Sequence, residues 1–218
     1  MRFIKKGAPP DFFEQEKTTV GLTSESKWNE FQNPCKTELK NYLISEQHGL
    51  CAYCECDLTL SVTGSDTPRS THLEHLAPQS EYPELRFSYH NLVTSCDGQL
   101  LTSKRVKERE SCGHRKDNEY DESWFLNPVK DESIAEYFSF DPQNGSIVAA
   151  ETSRAEDARK MIDILNLDAP YLRNARLNAK DVLMEHLASI EPTQAELLLR
   201  SELGSPREFI SFLKNYFA

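Results

Sequence analysis

Apolar residues recur at helical spacing in three parts of the chain. In residues 35–47, Leu39, Tyr42 and Leu43 lie among Lys and Glu residues, and Gly49 follows as a helix terminator. Two longer stripes in the last third of the chain predict two amphipathic helices whose apolar sides face a core. The first stripe is Ala155, Ala158, Met161, Ile162 and Leu165, and the second is Leu172, Ala175, Ala179, Val182, Leu183 and Leu187.

Turn and cap signals predict the elements around these helices. In residues 137–150, an Asn-Gly pair lies between two short aromatic or β-branched runs, which predicts a β-hairpin. Residues 1–21 contain two consecutive prolines and are predicted to be an extended, loosely packed arm or a peptide that docks on a partner. Three Ser/Thr-x-x-Glu capping boxes predict helix starts, namely Ser153 with Glu156, Thr193 with Glu196, and Ser205 with Glu208.

The charge balance limits what the chain can bind alone. There are 25 Lys and Arg residues against 35 Asp and Glu residues, a net charge of −10 at pH 7. Because non-specific nucleic-acid affinity comes mostly from Lys and Arg, the chain is not a general polyanion binder. Residues 104–116 are the exception, with six basic and two acidic side chains, and are predicted to contact a phosphate backbone. The basic residues are Lys104, Arg105, Lys107, Arg109, Arg115 and Lys116.

Length and hydropathy indicate a globular chain. With 218 residues, 38% of them hydrophobic, the chain can form one large domain, or one small core and a second lobe. No apolar run approaches the roughly 18 residues that a membrane span needs, and the first residues lack the apolar centre of a secretory signal. We therefore expect a soluble cytoplasmic protein without a membrane segment.

The cysteines and histidines are concentrated in one region. Five of the six cysteines and four of the six histidines lie in residues 51–116. Cys51 and Cys54 have the two-residue spacing with which two thiolates reach one tetrahedral ion, and Cys96 and Cys112 can complete a four-thiolate zinc site. The alternatives are buried free thiols or a redox Cys-x-x-Cys pair, and a redox pair does not explain the two further cysteines. Cys56 is close enough to Cys54 to be an alternative ligand, and Cys35 is not needed for the four-thiolate site.

A second group of residues can carry hydrolytic chemistry. A neutral histidine takes a proton from water near pH 7, while Glu74 with an imidazole such as His114 can hold a hard divalent cation. Such an ion stabilises an oxyanion that leaves phosphorus, and Asn91 would orient the base. His72 is either a third ligand or a hydrogen-bonded surface residue, and His90 is predicted to pack or cap. A zinc deaminase has the same His-x-Glu element, but its Cys-x-x-Cys pair must follow that element, whereas here it precedes it.

The order of these motifs resembles the HNH endonucleases. Cys-x-x-Cys is followed by Glu-His-Leu-Ala-Pro, Asn-Leu-Val-Thr-Ser-Cys and Cys-Gly-His-Arg-Lys, within residues 47–117. The opening Met-Arg-Phe-Ile-Lys-Lys-Gly-Ala-Pro-Pro and the run Glu-Gln-His-Gly-Leu-Cys-Ala-Tyr-Cys are similar to the PtuB-type HNH proteins of Septu and retron-linked anti-phage systems.

The resemblance implies an α+β protein with a zinc-braced ββα-metal nuclease core, flanking helices and a mostly helical C-terminal lobe. By position, His75 would be the general base, Glu74 and His114 ligands of a catalytic Mg²⁺ or Mn²⁺, and Asn91 the residue that orients the base. Glu74 stands where the family usually has Asp, and His114 lies two residues after Cys112, where other members have the ligand one residue after.

The resemblance also implies partners and an organisation of the chain. We expect a nuclease subunit that acts with an ATPase of the PtuA type, on DNA by preference or on tRNA or other RNA, in a complex that can include a retron reverse transcriptase and its msDNA. The alternative is a zinc-ribbon adaptor with vestigial HNH residues. The expected parts are an N-terminal arm for partner docking (1–34), the nuclease core (35–122), a connecting segment with the hairpin (123–150) and a helical lobe (151–218).

Overall fold

The computed structural model describes residues 1–59, 71–98 and 110–217. Within these residues the fold is α+β, as expected, with seven α-helices and two small antiparallel sheets. The helices are α1 (Asp11–Val20), α2 (Cys35–Glu46), α3 (Cys112–Lys116), α4 (Ala155–Ile164), α5 (Pro170–Ala188), α6 (Pro192–Gly204) and α7 (Ile210–Phe217). The strands are β1 (Thr71–His75), β2 (Leu92–Cys96), β3 (Phe138–Phe140) and β4 (Ile147–Ala149). No helix in the described ranges combines the length and apolar character that crossing a bilayer requires.

Strands β1 and β2 form a regular antiparallel pair whose two faces have different neighbours. The register runs from Thr71 opposite Cys96 to His75 opposite Leu92. Because side chains alternate along a strand, Leu73 and His75 extend to one face, whereas His72 and Glu74 extend to the other. Leu73 and Leu92 pack against a core formed with α1 and α2. The opposite face is turned towards α3, and this side of the sheet carries the candidate site.

A buried glutamine fixes α2 to β2. Gln47 follows α2 and is 1% exposed. Its side-chain amide donates to the carbonyls of Leu50 and Thr94 at 2.8 and 2.9 Å, and its carbonyl accepts from the Thr94 N–H at 2.7 Å. All three polar contacts replace the water that this side chain loses on burial. The turn that begins at Cys51 is thereby held beside the middle of β2.

Asn91 holds the long connection between β1 and β2. Its side-chain oxygen accepts from the Ala77 N–H at 2.8 Å, while its amide nitrogen donates to the carbonyls of Ala77 and Leu85 at 3.0 and 3.2 Å. These bonds tie the first and last parts of the connection together, close to the end of β1.

The first residues are part of the fold, so the expected extended arm is wrong. Helix α1 begins after Pro10 and ends at Gly21, whose φ of 71° is a left-handed conformation that glycine adopts at little cost. Ile4 and Phe13 are buried, and the N–H of Ile4 donates to the carbonyl of Pro128 at 2.7 Å. Apolar side chains of the first residues therefore pack into cores formed mostly by residues that are distant in the sequence.

The prediction of three capping boxes is also wrong. Helices α4 and α6 begin at Ala155 and Pro192, and neither has a side-chain cap. Ser205 ends α6, and the Glu208 carboxylate accepts from the Asp57 N–H at 3.1 Å. In each case the glutamate of the motif binds another group: Glu156 pairs with Arg159 and Glu196 with Arg200.

The hairpin and the two core stripes are confirmed, with two exceptions. Strands β3 and β4 pair antiparallel within the predicted 137–150 range. Both helical stripes face the core, except for Ala155, which is half-buried, and Val182, which is 55% exposed. Of the predicted basic segment, only residues 110–116 lie within the described residues.

Candidate functional site

Four cysteines from three places in the fold meet in the interior. The sulfur atoms of Cys51, Cys54, Cys96 and Cys112 all lie within 4.8 Å of one another, and all four residues are buried. The Cys54 and Cys96 sulfurs are 3.8 Å apart. Four sulfurs at about 2.3 Å from a tetrahedral ion are separated by about 3.8 Å, so the group fits a metal of zinc geometry.

The fifth and sixth cysteines lie outside this group. Cys56 is buried close by and contacts Cys51, Cys54 and Cys96, but it is not one of the four mutually close sulfurs. Cys35 packs in the other core, with its sulfur near the Phe12 carbonyl. The structure thus selects the four cysteines that the spacing predicted.

Hydrogen-bond donors surround the four sulfurs. The N–H of Cys96 donates to the Cys51 sulfur at 3.4 Å, and the Ser111 hydroxyl donates to the Cys112 sulfur at 3.4 Å. A hydrogen bond from Cys112, with others from Cys56 and Cys96, lowers the pKa of Cys54 to about 6. Burial, with the neighbouring sulfurs, raises the pKa of Cys112 well above its usual value. Since thiolates are the metal-binding form, a bound cation would allow all four sulfurs to carry charge in this buried place.

The four-cysteine group is built where β2 ends and α3 begins. Cys112 has a φ of 59°, and its N–H donates to the Leu165 carbonyl at 2.8 Å. Tyr171 in α5 donates to the Gly98 carbonyl at 2.8 Å and contacts the Ser111 hydroxyl. Tyr171 therefore links the chain just after β2 to the residue before α3. Leu165, which follows α4, and Tyr171 in α5 therefore anchor the backbone next to Cys96 and Cys112.

A second, more exposed cluster lies beside the four cysteines. His72 Nδ1 and His114 Nε2 are 3.3 and 3.2 Å from the same oxygen, Asp97 Oδ1. The two imidazole rings have centroids 4.3 Å apart. Their side chains and that of Asp97 are 24, 27 and 19% exposed, so solvent reaches this cluster but not the four cysteines. Two imidazoles and a carboxylate can together hold a divalent metal.

Asp97 is the residue of this cluster that the sequence reasoning missed. Asp97 directly follows Cys96, and His114 lies two residues after Cys112. If Cys96 and Cys112 bind one ion, their chain neighbours must also lie close together. A search of the residues next to the predicted zinc ligands would therefore have found Asp97. His72, which the sequence left open, belongs to the cluster.

One carboxylate oxygen of Glu74 faces His72, and the other is held by Tyr53 and Lys116. Its Oε2 is 3.4 Å from His72 Nε2, while its Oε1 is 3.1 Å from both the Tyr53 hydroxyl and Lys116 Nζ. Burial alone would raise the pKa of Glu74, but its contacts with His72 and Lys116 lower it below the usual value. Burial would lower the pKa of His72, whereas Asp97 and Glu74 raise it to about 9. Glu74 is therefore a carboxylate oriented towards His72.

Gly113 leaves the space that this arrangement needs. A Cβ atom at this position would lie 2.5 Å from His72 Nε2 and 2.6 Å from Glu74 Oε2. Both distances are far below van der Waals contact. The N–H of Gly113 donates to the Ser95 hydroxyl at 3.1 Å, which holds the first turn of α3 against β2.

His75 extends to the opposite face of β1 from Glu74. Its Nε2 is 3.0 Å from the Arg86 carbonyl, and its ring packs edge-on against Trp28, with centroids 4.6 Å apart. Because a carbonyl only accepts, Nε2 carries the hydrogen and Nδ1 keeps the lone pair. Burial lowers the pKa of His75 to about 4, so the ring is neutral near pH 7.

The other predicted site residues have definite positions. Asn91 binds the backbone of the β1–β2 connection rather than the imidazole it was expected to orient. His90 is exposed, with its ring against Tyr89. Lys116 was expected to contact phosphate, but it is 1% exposed and paired with Glu74, so that expectation is wrong. The prediction for residues 104–109 lies outside the described residues.

Neither protein-family models nor curated proteins gave a match to this sequence.

Proposed function

We propose that this protein is a metal-dependent endonuclease of the HNH type, which hydrolyses phosphodiester bonds of nucleic acid. The observation that carries the proposal is the solvent-accessible cluster of His72, Asp97 and His114 beside a buried four-cysteine group. Two antiparallel strands and a short helix supply these residues, in the order strand, strand, helix. This is the order in which the resemblance places a nuclease site.

The proposal includes two metal ions, one structural and one catalytic. Zn²⁺ bound by Cys51, Cys54, Cys96 and Cys112 would brace the junction of β2 and α3. A divalent ion, Mg²⁺ or Mn²⁺, would be held next to Glu74 and His114. When bound there, it supplies charge stabilisation to the oxygen that leaves phosphorus.

The proposed base is His75. Its neutral ring accepts a proton from water at Nδ1, the water oxygen bonds to phosphorus, and the bond from phosphorus to the leaving oxygen breaks. The hydrogen bond to the Arg86 carbonyl fixes the tautomer that this step needs. His75 is the last residue of β1. Because His75 and Glu74 extend to opposite faces of β1, a phosphate would have to bind at the end of the strand to reach both residues.

The charge of the chain supports a role within a complex. At a net charge of −10, the protein alone should hold nucleic acid weakly. The sequence has no Walker A motif, so an ATP-dependent step would need another subunit. The resemblance to the PtuB-type HNH proteins supplies the rest of the proposal, namely an ATPase partner of the PtuA type, anti-phage defence as the setting, and DNA as the favoured substrate. RNA such as tRNA, and a retron reverse transcriptase with its msDNA, are the further proposed components.

The first test is metal-dependent cleavage. The protein, purified together with the products of its neighbouring genes, is incubated with DNA or with tRNA, in Mg²⁺ or Mn²⁺, with and without EDTA. We expect strand cleavage that EDTA abolishes, because the leaving oxygen then lacks its stabilising charge. Sequencing of the cleaved ends identifies the substrate and its preferred sites.

A zinc-ribbon adaptor is the second candidate. The observation that favours it is that Glu74 Oε1 is already bound by Tyr53 and Lys116, which leaves only one oxygen for other partners. An adaptor would keep its zinc and its partner but would show no EDTA-sensitive cleavage of either nucleic acid. That outcome would exclude the nuclease proposal.

A further inference from the structure

We propose that the ligands of the second metal are His72 Nδ1, Asp97 Oδ1 and His114 Nε2, and that Glu74 orients His72 instead of binding the ion. We further infer that this centre selects a first-row transition ion, such as Mn²⁺, Co²⁺ or Zn²⁺, over Mg²⁺. The inference deepens the proposed function by naming the ion class and its ligand atoms, but ion binding can be measured without any cleavage.

The distances from Asp97 to the two histidine nitrogens fit a shared ion, and the three residues offer ligand atoms within 4.8 Å of one another. Asp97 Oδ1 is 3.3 Å from His72 Nδ1 and 3.2 Å from His114 Nε2. Nitrogen or oxygen ligands about 2.1 Å from one ion, at angles between octahedral and tetrahedral, are about 3.0–3.4 Å apart. The three ligands come from β1, from the residue after β2 and from α3, so the ion would join all three parts of the site.

Glu74 has the position of a carboxylate that supports a metal-binding histidine. The ring nitrogen of His72 that faces away from Asp97 is Nε2, and it lies 3.4 Å from Glu74 Oε2. Metal-binding histidines commonly donate their second N–H to a carboxylate, which fixes the ring and makes the ligating nitrogen more basic. The Tyr53 hydroxyl and Lys116 Nζ hold the other oxygen of Glu74. Glu74 is thus held in place for this role.

The donor set determines the class of ion. Two imidazole nitrogens and one carboxylate oxygen suit transition ions, whereas Mg²⁺ prefers oxygen ligands and retains several waters. The three side chains are 19–27% exposed, which leaves an accessible side for water or a phosphate. The four-cysteine group has only sulfur donors and is buried, so the two centres differ in chemistry and in access.

The experiment is a binding titration of the full chain, with its zinc content measured first. Mn²⁺ is added and free Mn²⁺ is followed by electron paramagnetic resonance. We expect one Mn²⁺ per chain, which excess Mg²⁺ displaces poorly. Asp97→Asn should weaken Mn²⁺ binding by tenfold or more with unchanged zinc content, and Asp181→Asn, at an exposed position in α5, should bind as the wild type does.

Gly113→Ala provides a second variant that changes no ligand. Its added methyl would lie 2.5 Å from His72 Nε2 and 2.6 Å from Glu74 Oε2, so the ends of both side chains must shift. We expect Mn²⁺ binding to weaken about tenfold with zinc content close to that of the wild type, and circular dichroism is used to confirm that the variant is folded. Gly204→Ala is the matched control, because a Cβ there meets nothing within 4 Å.

The outcomes separate this inference from the proposed function. If Asp97→Asn and Gly113→Ala both bind Mn²⁺ as the wild type does, or if Mg²⁺ displaces Mn²⁺ at equal concentration, the assignment is overturned, whatever the cleavage assay shows. If Mn²⁺ binding follows the expected pattern but the complex never cleaves nucleic acid, the metal centre stands and the nuclease proposal fails.

Discussion

Replacing Cys54 with serine is expected to remove the zinc and to unfold most of the molecule at 37 °C. Structural zinc contributes about 10–16 kcal/mol in zinc-finger peptides, which equals or exceeds the total stability of a typical domain, about 5–15 kcal/mol. The four sulfurs lie within the larger core, which also contains residues of α4, α5 and α7. Losing one ligand therefore disturbs the helices as well as the site. Circular dichroism melting and zinc analysis of the purified variant measure both effects.

Cys56→Ser is the matched control for this experiment. Cys56 lies two residues from Cys54 and is equally buried, but it is not one of the four mutually close sulfurs. We expect this variant to retain one zinc per chain and to lose only the stability of a buried thiol, about 1–2 kcal/mol. Equal zinc loss in the two variants, or retention of zinc by Cys54→Ser, would contradict the four-cysteine assignment.

The sequence predicts best those parts of the structure that short spacings determine. Cys51 and Cys54 identify one half of the metal-binding group because two residues of separation suffice to bring two sulfurs to one ion. The hairpin of β3 and β4 follows from its Asn-Gly turn in the same way. Helix α2 follows from the spacing of Leu39 and Leu43, both fully buried.

Long-range contacts explain what the sequence does not show. The capping motif at Ser205 is broken because Glu208 instead accepts from the Asp57 N–H, 151 residues away. The first residues fold because Lys6 donates to the Leu92 carbonyl at 2.8 Å and pairs with Glu46 at 3.1 Å. Neither interaction leaves a local pattern in the sequence.

In the candidate site, too, local spacing predicted one part of the arrangement and long-range contacts determined the rest. Histidine and cysteine spacing indicated which part of the chain holds the candidate metal-binding clusters, but not which atoms face one another. Asp97 joins the cluster only because β1, β2 and α3 meet there. Lys116, which the sequence counts as one more positive charge, is turned inward to Glu74. The alternation of β1 also places His75 on the face opposite to Glu74, where its packing against Trp28 could not be read from the motif.

Replacing His75 with alanine is expected to abolish cleavage by the partnered protein, with a rate loss of about 10²–10⁴-fold for a general base. The substitution also removes the hydrogen bond to the Arg86 carbonyl and the contact with Trp28, at a cost of about 1–3 kcal/mol of stability. Zinc and Mn²⁺ contents should be unchanged, because the ring of His75 lies on the other face of β1 from the metal cluster. Single-turnover cleavage, melting temperature and metal content are measured on the same preparation.

Two further measurements separate a chemical role of His75 from a structural one. Added imidazole should restore part of the cleavage by His75→Ala, because it fits the space that the lost ring occupied and can accept the proton at nitrogen. His90→Ala removes an exposed histidine from the β1–β2 connection and should cleave at the wild-type rate. His75→Ala that cleaves at the wild-type rate would show that His75 is not the base. A loss that imidazole cannot restore, accompanied by a large fall in melting temperature, would instead assign His75 to the packing of Trp28 and the β1–β2 connection.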